Sequence, residues 1–251
     1  MSTEKATALV LRVVEFSETS SVVTLLTREF GKVRGLAKGA RRPKGPFESA
    51  LDLLSLCRIV FLRKSSDALD LLTEAKLERR FRPHARDLAS LYAGYYIAEL
   101  LDELTDDYDP HPELFEAAAE TLRALASEGN VPTFLLRFEL TALRVLGHLP
   151  SLVQCADCGA EVPTTGRVAF SQIAGGVLCV NCRGGKKQVV SVSAGVIRAL
   201  QQFADPESDV WRRMELDRST RGELRGVMNH FLYGLLGKKL KMHAYLGALG
   251  H

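Results

Sequence analysis

Four of the chain's five cysteines fall in two Cys-x-x-Cys pairs, Cys155-Ala-Asp-Cys158 and Cys179-Val-Asn-Cys182. Each such pair forms a tight knuckle presenting two thiolates, and a separation of about 20 residues lets the intervening chain fold back as a hairpin that brings the knuckles together. The chemistry served by this pattern is tetrahedral coordination of zinc. Gly159 and Gly184 follow the pairs, where residues tolerant of positive φ let backbone amides turn toward sulfur. Four thiolates fill the coordination shell and leave no position for water or substrate, so the expected zinc is structural and the function is expected elsewhere. Two disulfides, or a redox-active thiol pair, are the competing use of these residues. Met1-Ser-Thr-Glu-Lys5 leads straight into a strand-like pattern with no signal-peptide apolar run, and no apolar stretch has membrane-spanning length. A cytoplasmic, reducing location away from membrane is therefore expected, which favours thiolate ligands. Cys57, in the apolar run from Leu53 to Phe61, reads as a small buried core residue.

The second candidate chemistry is polyanion binding. The net charge is only +3, but its distribution is uneven. Arg28, Lys32, Arg34, Lys38, Arg41, Arg42 and Lys44 crowd together with Glu29 the one acid among them, whereas Glu99, Asp102, Glu103, Asp106, Asp107, Asp109, Glu113 and Glu116 run without a Lys or Arg. Such asymmetry predicts a phosphate-binding end and a solvated acidic face elsewhere. Alternate residues of a strand share a side, so Lys32 and Arg34 are expected on one face, extended by Lys38, Arg41, Arg42 and Lys44. Phe30 and Phe47 flank the run and are the expected stacking aromatics. Binding should be mainly electrostatic, tolerant of single and double strands, and steeply weakened by salt. A solvated barrel surface without a partner is the plainer alternative.

A third constellation lies further on. Arg137, Thr141, Arg144 and His148 recur at helical spacing as a cationic stripe on an apolar rod. They serve either as internal partners for the acidic run or as a pocket for an acidic, apolar peptide, since Arg beside leucines holds a carboxylate and an aromatic together. Enzyme readings find little support, and no catalytic residue is assigned. The chain has no Gly-x-x-x-x-Gly-Lys-Ser/Thr loop and no Gly-x-Ser-x-Gly elbow, and its six histidines are scattered. Asp102, Asp106 and Asp109 could in principle hold magnesium for a nuclease, but an acidic helical surface is more economically a solvated face.

The elements that must position these groups come in two kinds. From Ala6 to Arg80 the pattern is that of five short strands: Ala8–Phe16, Val22–Thr27, Lys32–Arg41, Leu51–Leu62 and one beginning at Ala68. This fits a small closed barrel of the OB kind, with an SH3-like barrel competing. After Arg82-Pro83 the period becomes helical, with helices expected from Leu88, from Asp109-Pro-His-Pro, over Thr133–Gly147, from Ser193 to Ala204, and after a Thr220–Glu223 capping box. The fold class is thus α+β. A barrel domain spans residues 1–80 and a helical domain 81–251, with the zinc module inserted at about 151–188.

Taken together, the basic strand Gly31-Lys-Val-Arg-Gly-Leu-Ala-Lys-Gly-Ala-Arg41, the helix bearing Arg137-Phe-Glu-Leu140, and the Cys155–Cys182 insertion after it resemble the RecO family of recombination mediators over nearly the whole chain. The resemblance implies an OB-fold domain, a helical domain and a structural zinc module. It also implies DNA repair through the RecF pathway: loading recombinase onto strands coated by single-strand DNA-binding protein, annealing complementary strands, and working with RecR. On this likeness the helical domain takes the acidic C-terminal tail of single-strand DNA-binding protein, a role carried to Arg137 and, by proximity, to Arg144. Members without the four cysteines imply that zinc is not itself needed for annealing. The expected mechanism is neutralisation of two phosphate backbones by the barrel's cations, in a cytoplasmic, nucleoid-associated protein. Two other classes compete: a zinc-containing protein-interaction adaptor whose basic patch is incidental, and a zinc or magnesium hydrolase.

Overall fold

The computed structural model describes residues 2–248 apart from 43, 44, 48, 49, 65–67, 85 and 129. It divides into two compact units, one formed by the chain up to Leu135 together with the segment from Leu240, the other by Leu136–Lys239.

In the first unit, Ser2–Glu15 (β1), Ser21–Thr27 (β2), Gly31–Ala37 (β3), Leu56–Arg63 (β4) and Asp70–Arg79 (β5) close into a barrel of order β1-β2-β3-β5-β4, β1 pairing with β4. All ladders are antiparallel except β3 with β5, the OB-like Greek-key arrangement expected from five closely spaced strands. Alternate Ala, Val, Leu, Ile and Phe residues point inward: Ala8, Val10, Val23, Leu25, Val33, Ile59, Phe61 and Leu72 all belong to the barrel core. Some strand boundaries differ from the expected ones, β4 beginning at Leu56 and not Leu51. β1 is longer, while β3 stops at Ala37, because the chain turns on itself through bonds from Ala40 N–H to the Ala37 carbonyl and Arg42 N–H to the Gly39 carbonyl.

Leu88–Leu104 (α1) and Pro112–Ser127 (α2) follow, α1 capped by the Asp87 carboxylate accepting from Ser90 N–H. His111, not Asp109, takes the N-cap position of α2. α1 packs on β1 and β2, so the outward-facing Leu9 and Leu26 at that end of the sheet are buried too. Sequence reasoning missed the last helix of this unit, Met242–Ala248 (α6), which packs on α1. Glu99 of α1 accepts the Lys241 and Met242 amides at 2.8 and 2.9 Å, and His243 stacks on Tyr96.

Val131–Val145 (α3) leads into the second unit, where Arg167–Ser171 (β6), Gly176–Leu178 (β7) and Val189–Ser193 (β8) form a sheet of order β7-β6-β8. Ala194–Ala204 (α4) is capped by Ser193 as expected. Arg218–Leu236 (α5) is capped three residues before the expected position, by Asp217, which accepts from Thr220 N–H, and Glu223 instead accepts from Ser193 N–H and Arg167. Glu139, fully buried, is paired with Arg225 at 2.9 Å. Among the described residues no helix is long and apolar enough to cross a membrane.

Candidate nucleic-acid interface and metal centre

The register of β1, β2 and β3 lays the barrel's outer face out in rungs. Leu9–Leu26–Lys32, Arg12–Thr24–Arg34 and Val14–Val22–Leu36 stand opposite one another across the three strands, and paired residues share a face of the sheet. The first rung lies where α1 packs and is buried. Arg12 and Arg34 of the second are exposed, and the third is open at Val14 and half-buried at Val22 and Leu36. Beyond it come Phe16 and Lys38, then Arg41 and Arg42, all exposed. Arg41 is drawn to the β1–β2 turn: its N–H donates to the Thr19 carbonyl at 3.1 Å and its guanidinium pairs with Glu15 at 2.9 Å.

The acidic run is not a separate solvated face. Arg28 pairs with Glu116 at 2.9 Å, Lys32 with Asp102 at 3.6 Å and Arg34 with Asp107 at 3.4 Å. Residues 105–109 lie along the start of β3, where Tyr108 N–H donates to the Lys32 carbonyl at 2.9 Å. Tyr108 also packs against the barrel core and its hydroxyl donates to Asp70, whose carboxyl burial pushes above the ordinary value despite the Lys64 amide it accepts. Gly31 is required here: its φ is +69°, and a Cβ would stand 2.1 Å from the Asp109 carbonyl oxygen.

This arrangement corrects the expectation for Lys32. Periodicity placed it correctly on the face of Arg34, but its side chain is only 5% exposed and its ammonium donates to the Asp102 main-chain carbonyl at 2.6 Å. It anchors α1 to the barrel and is not open to phosphate. The exposed expected cations are Arg34, Lys38, Arg41 and Arg42; Arg12 joins them, and Lys44 lies outside the described residues. The basic run is therefore divided, its first half facing the acids and its second half clustering at the other end of the barrel.

The stacking aromatics are corrected as well. Phe47 is 3% exposed in the barrel core, and Phe30 packs edge-on against buried Phe61 with centroids 5.6 Å apart. Phe16, which does not flank the basic run and so is not among the expected aromatics, is 66% exposed.

On α3, Arg137 has an internal task. Its guanidinium donates to the carbonyls of Phe203 and Asp205, each at 2.7 Å, and of Pro206 at 3.4 Å, and lies 5.3 Å from the centre of the Trp211 ring. Burial, then nearby Arg144, lowers its pKa from the ordinary value. These four contacts, three to carbonyls and one to a ring, tie the half-buried Arg137 side chain to the end of α4. Arg144 is half-buried.

The four paired cysteines converge as their spacing required. Their sulfurs lie within 4.8 Å of one another, and Cys158 and Cys179 Sγ are 3.8 Å apart. Sulfurs about 2.3 Å from a central zinc stand about 3.8 Å apart in a tetrahedron, so the set fits such an ion. All five cysteines are free of disulfides. The first knuckle is closed by Gly159 N–H donating to the Cys155 carbonyl at 2.9 Å, the second by Cys182 and Arg183 N–H donating to the Cys179 carbonyl at 3.2 and 3.1 Å. Cys179 N–H points at Cys155 Sγ at 3.4 Å and, with the Cys158 and Asp157 amides, brings the Cys155 thiol down to about 6 despite its burial. Cys182 is pushed up instead, first by Cys158 and then by Cys179; a divalent cation would hold both as thiolates. The returning hairpin is β6–β7, and its close fit needs Gly176, where a Cβ would stand 2.3 Å from the Ser151 carbonyl oxygen. The sheet extends beyond the expected module, since β8 pairs with β6 through Ser193.

Comparison with known proteins points the same way. Residues 1–81 match the family model described as Recombination protein O N terminal, and residues 85–243 that described as Recombination protein O C terminal. A DNA repair protein RecO of Rhodopirellula baltica is 42% identical, the match covering 95% of this chain and 97% of that relative. Those of Anaeromyxobacter dehalogenans and Moorella thermoacetica are 36% and 31% identical, over 100% and 98% of this chain and 98% and 91% of theirs.

Proposed function

The chain belongs to the RecO family, and from that membership and its divided charge we propose that it is a DNA-binding mediator of repair that anneals complementary strands. The observation that carries this reading is the group of exposed cations on either side of the Val14–Val22–Leu36 rung: Arg12 and Arg34 before it, Lys38, Arg41 and Arg42 beyond it. Lys38 and Arg42 make no ion pair among the described residues. Cations so placed release counterions from phosphate backbones and reduce repulsion between two strands held on one protein. Pairing then needs no covalent step.

The finer reading follows the family: a place in the RecF pathway, single strands coated by single-strand DNA-binding protein as substrate, RecR as partner, and a cytoplasmic, nucleoid-associated location. The acidic tail of the coating protein would be held by the helical half, with Arg137 and, beside it, Arg144 of α3 as its contacts. The ion between the knuckles is zinc, as four thiolates prefer, and its role is to hold the module together.

The test is titration of labelled single strands and duplexes at several salt concentrations, with an annealing readout. Replacing Lys38, Arg41 and Arg42 by Glu should weaken both and flatten the salt slope. Affinity and annealing equal to wild type would refute the placement and favour an adaptor with an incidental basic patch.

A further inference from the structure

The outer face of the barrel does not end in charge alone. Past the Arg12–Thr24–Arg34 rung, Val14, Val22 and Leu36 form an apolar rung, and Phe16 stands two residues beyond Val14 where the β1–β2 hairpin turns. Val14 is 43% exposed and Phe16 66%. Large apolar groups left in water at the tip of a two-stranded hairpin cost free energy unless something covers them.

The charges around the patch say what that something is. Cations bracket it: Arg12 and Arg34 on one side, Lys38 and Arg41 on the other. Of the acids nearby, Glu15 pairs with Arg41 and Asp107 with Arg34, while Glu18 stands exposed in the β1–β2 turn, one acid against four cations. An apolar and aromatic strip between two lines of cations suits a polymer that is anionic along its edges and has π-faces between them. Unpaired bases offer such faces; a duplex hides them inside its stack. A protein ligand would have to present acids on both sides of an apolar ridge, a narrower requirement.

We propose that Phe16, with the Val14–Val22–Leu36 rung behind it, is a base-stacking platform that gives the barrel a preference for single-stranded over double-stranded DNA. The inference rests on the DNA-binding reading above and changes its character: the cations bind both forms, and Phe16 discriminates between them. It also suits annealing, because a duplex forming on the platform loses its stacking contact and is the form more readily released.

The experiment compares wild type and Phe16→Ala, by fluorescence anisotropy at fixed salt, on oligo-dT, a duplex of equal length and an abasic strand of equal length. Since Phe16 is exposed, its replacement leaves folding intact. Loss of a base-stacking aromatic weakens single-strand binding by roughly 5- to 150-fold, so oligo-dT affinity should fall within that range while duplex and abasic affinities change less than about twofold; Phe16→Trp should restore oligo-dT binding. An equal loss on all three probes, or no loss on oligo-dT, overturns the platform. If wild type binds and only charge reversal at Lys38, Arg41 and Arg42 matters, the platform alone fails. If wild type binds none of the probes at low salt, the DNA-binding reading fails with it, and the patch belongs to a protein partner.

Discussion

Lys32 and Lys38 lie six residues apart in one basic run, yet the structure gives them opposite work, and the difference is measurable. Lys32→Met keeps most of the buried stem and removes the ammonium that donates to the Asp102 carbonyl at 2.6 Å. The Asp102 carboxylate is partly solvated and can rehydrate; the carbonyl beneath it cannot as easily. An orphaned buried acceptor costs about 1–3 kcal/mol. Lys32→Ala removes three further methylenes at about 0.8 kcal/mol each, bringing the total to about 3–5 kcal/mol. Lys38 and Arg42 are exposed, so Lys38→Ala and Arg42→Ala should each stay within about 0.5 kcal/mol of wild type. DNA binding should show the reverse. Each phosphate contact contributes about 0.7 to the single-strand salt slope, so the Lys38→Ala, Arg42→Ala double variant should lose about 1.4 of it, and folded Lys32→Met none. Urea unfolding followed by circular dichroism gives the first quantity, and anisotropy on oligo-dT across a salt series gives the second. A Lys32→Met protein of wild-type stability with a flattened salt slope would refute the division of the basic run.

Three further outcomes follow. Elemental analysis of reduced protein should find about one zinc per chain, and Cys158→Ser should lower that content and loosen the β6–β8 module while leaving oligo-dT affinity at the wild-type level; a shared loss of zinc and DNA binding would contradict a purely structural metal. Arg137→Ala should destabilise the second unit by about 1.5–3 kcal/mol through lost charged hydrogen bonds to the Phe203, Asp205 and Pro206 carbonyls, read from the fluorescence of the chain's single Trp, Trp211; unchanged stability with weakened binding of an acidic, Phe-ended peptide would leave ligand recognition as the one task of Arg137. Hydrogen bonds from Ser90 hold the Asp87 carboxyl below its ordinary value, so its cap stabilises the fold above the unfolded carboxylate range near pH 3.9 and is lost as pH falls through the lower folded value. Asp87→Ala should therefore cost about 1 kcal/mol at neutral pH, and its stability should converge with wild type as acid protonates the wild-type cap. A constant gap down to the lowest pH would show that the cap's charge is irrelevant.

What the sequence disclosed, and what it hid, divides along a physical line. Patterns fixed by covalent spacing were legible: the knuckles of Cys155–Cys158 and Cys179–Cys182 converge because two residues between thiols leave few ways to turn, and the inward alternation of Val23, Leu25 and Val33 builds the barrel core. Periodicity also set Lys32 and Arg34 on one face. It could not reveal that α1 and residues 105–109 would cover half of that face, because covering is a contact between segments about 70 residues apart in which Asp102, Asp107 and Tyr108 take part. The same limit hid the task of Arg137, whose acceptors are carbonyls with no side-chain signature. Phe16 and Phe30 both adjoin turns, and only closure of the barrel decides that one enters the core contacts and the other remains in water. Asp217 and Thr220 were equally good caps by composition, and short α6 depends on Glu99, more than 140 residues earlier, for its first amides. The consequence for function is specific. Counting Lys and Arg along the chain overstates the phosphate-binding surface, since cations nearest the acidic run are consumed in holding the fold. Those that remain lie at the far end of the sheet, where the open apolar rung begins, and it is the adjacency of these two features that a sequence count could not supply.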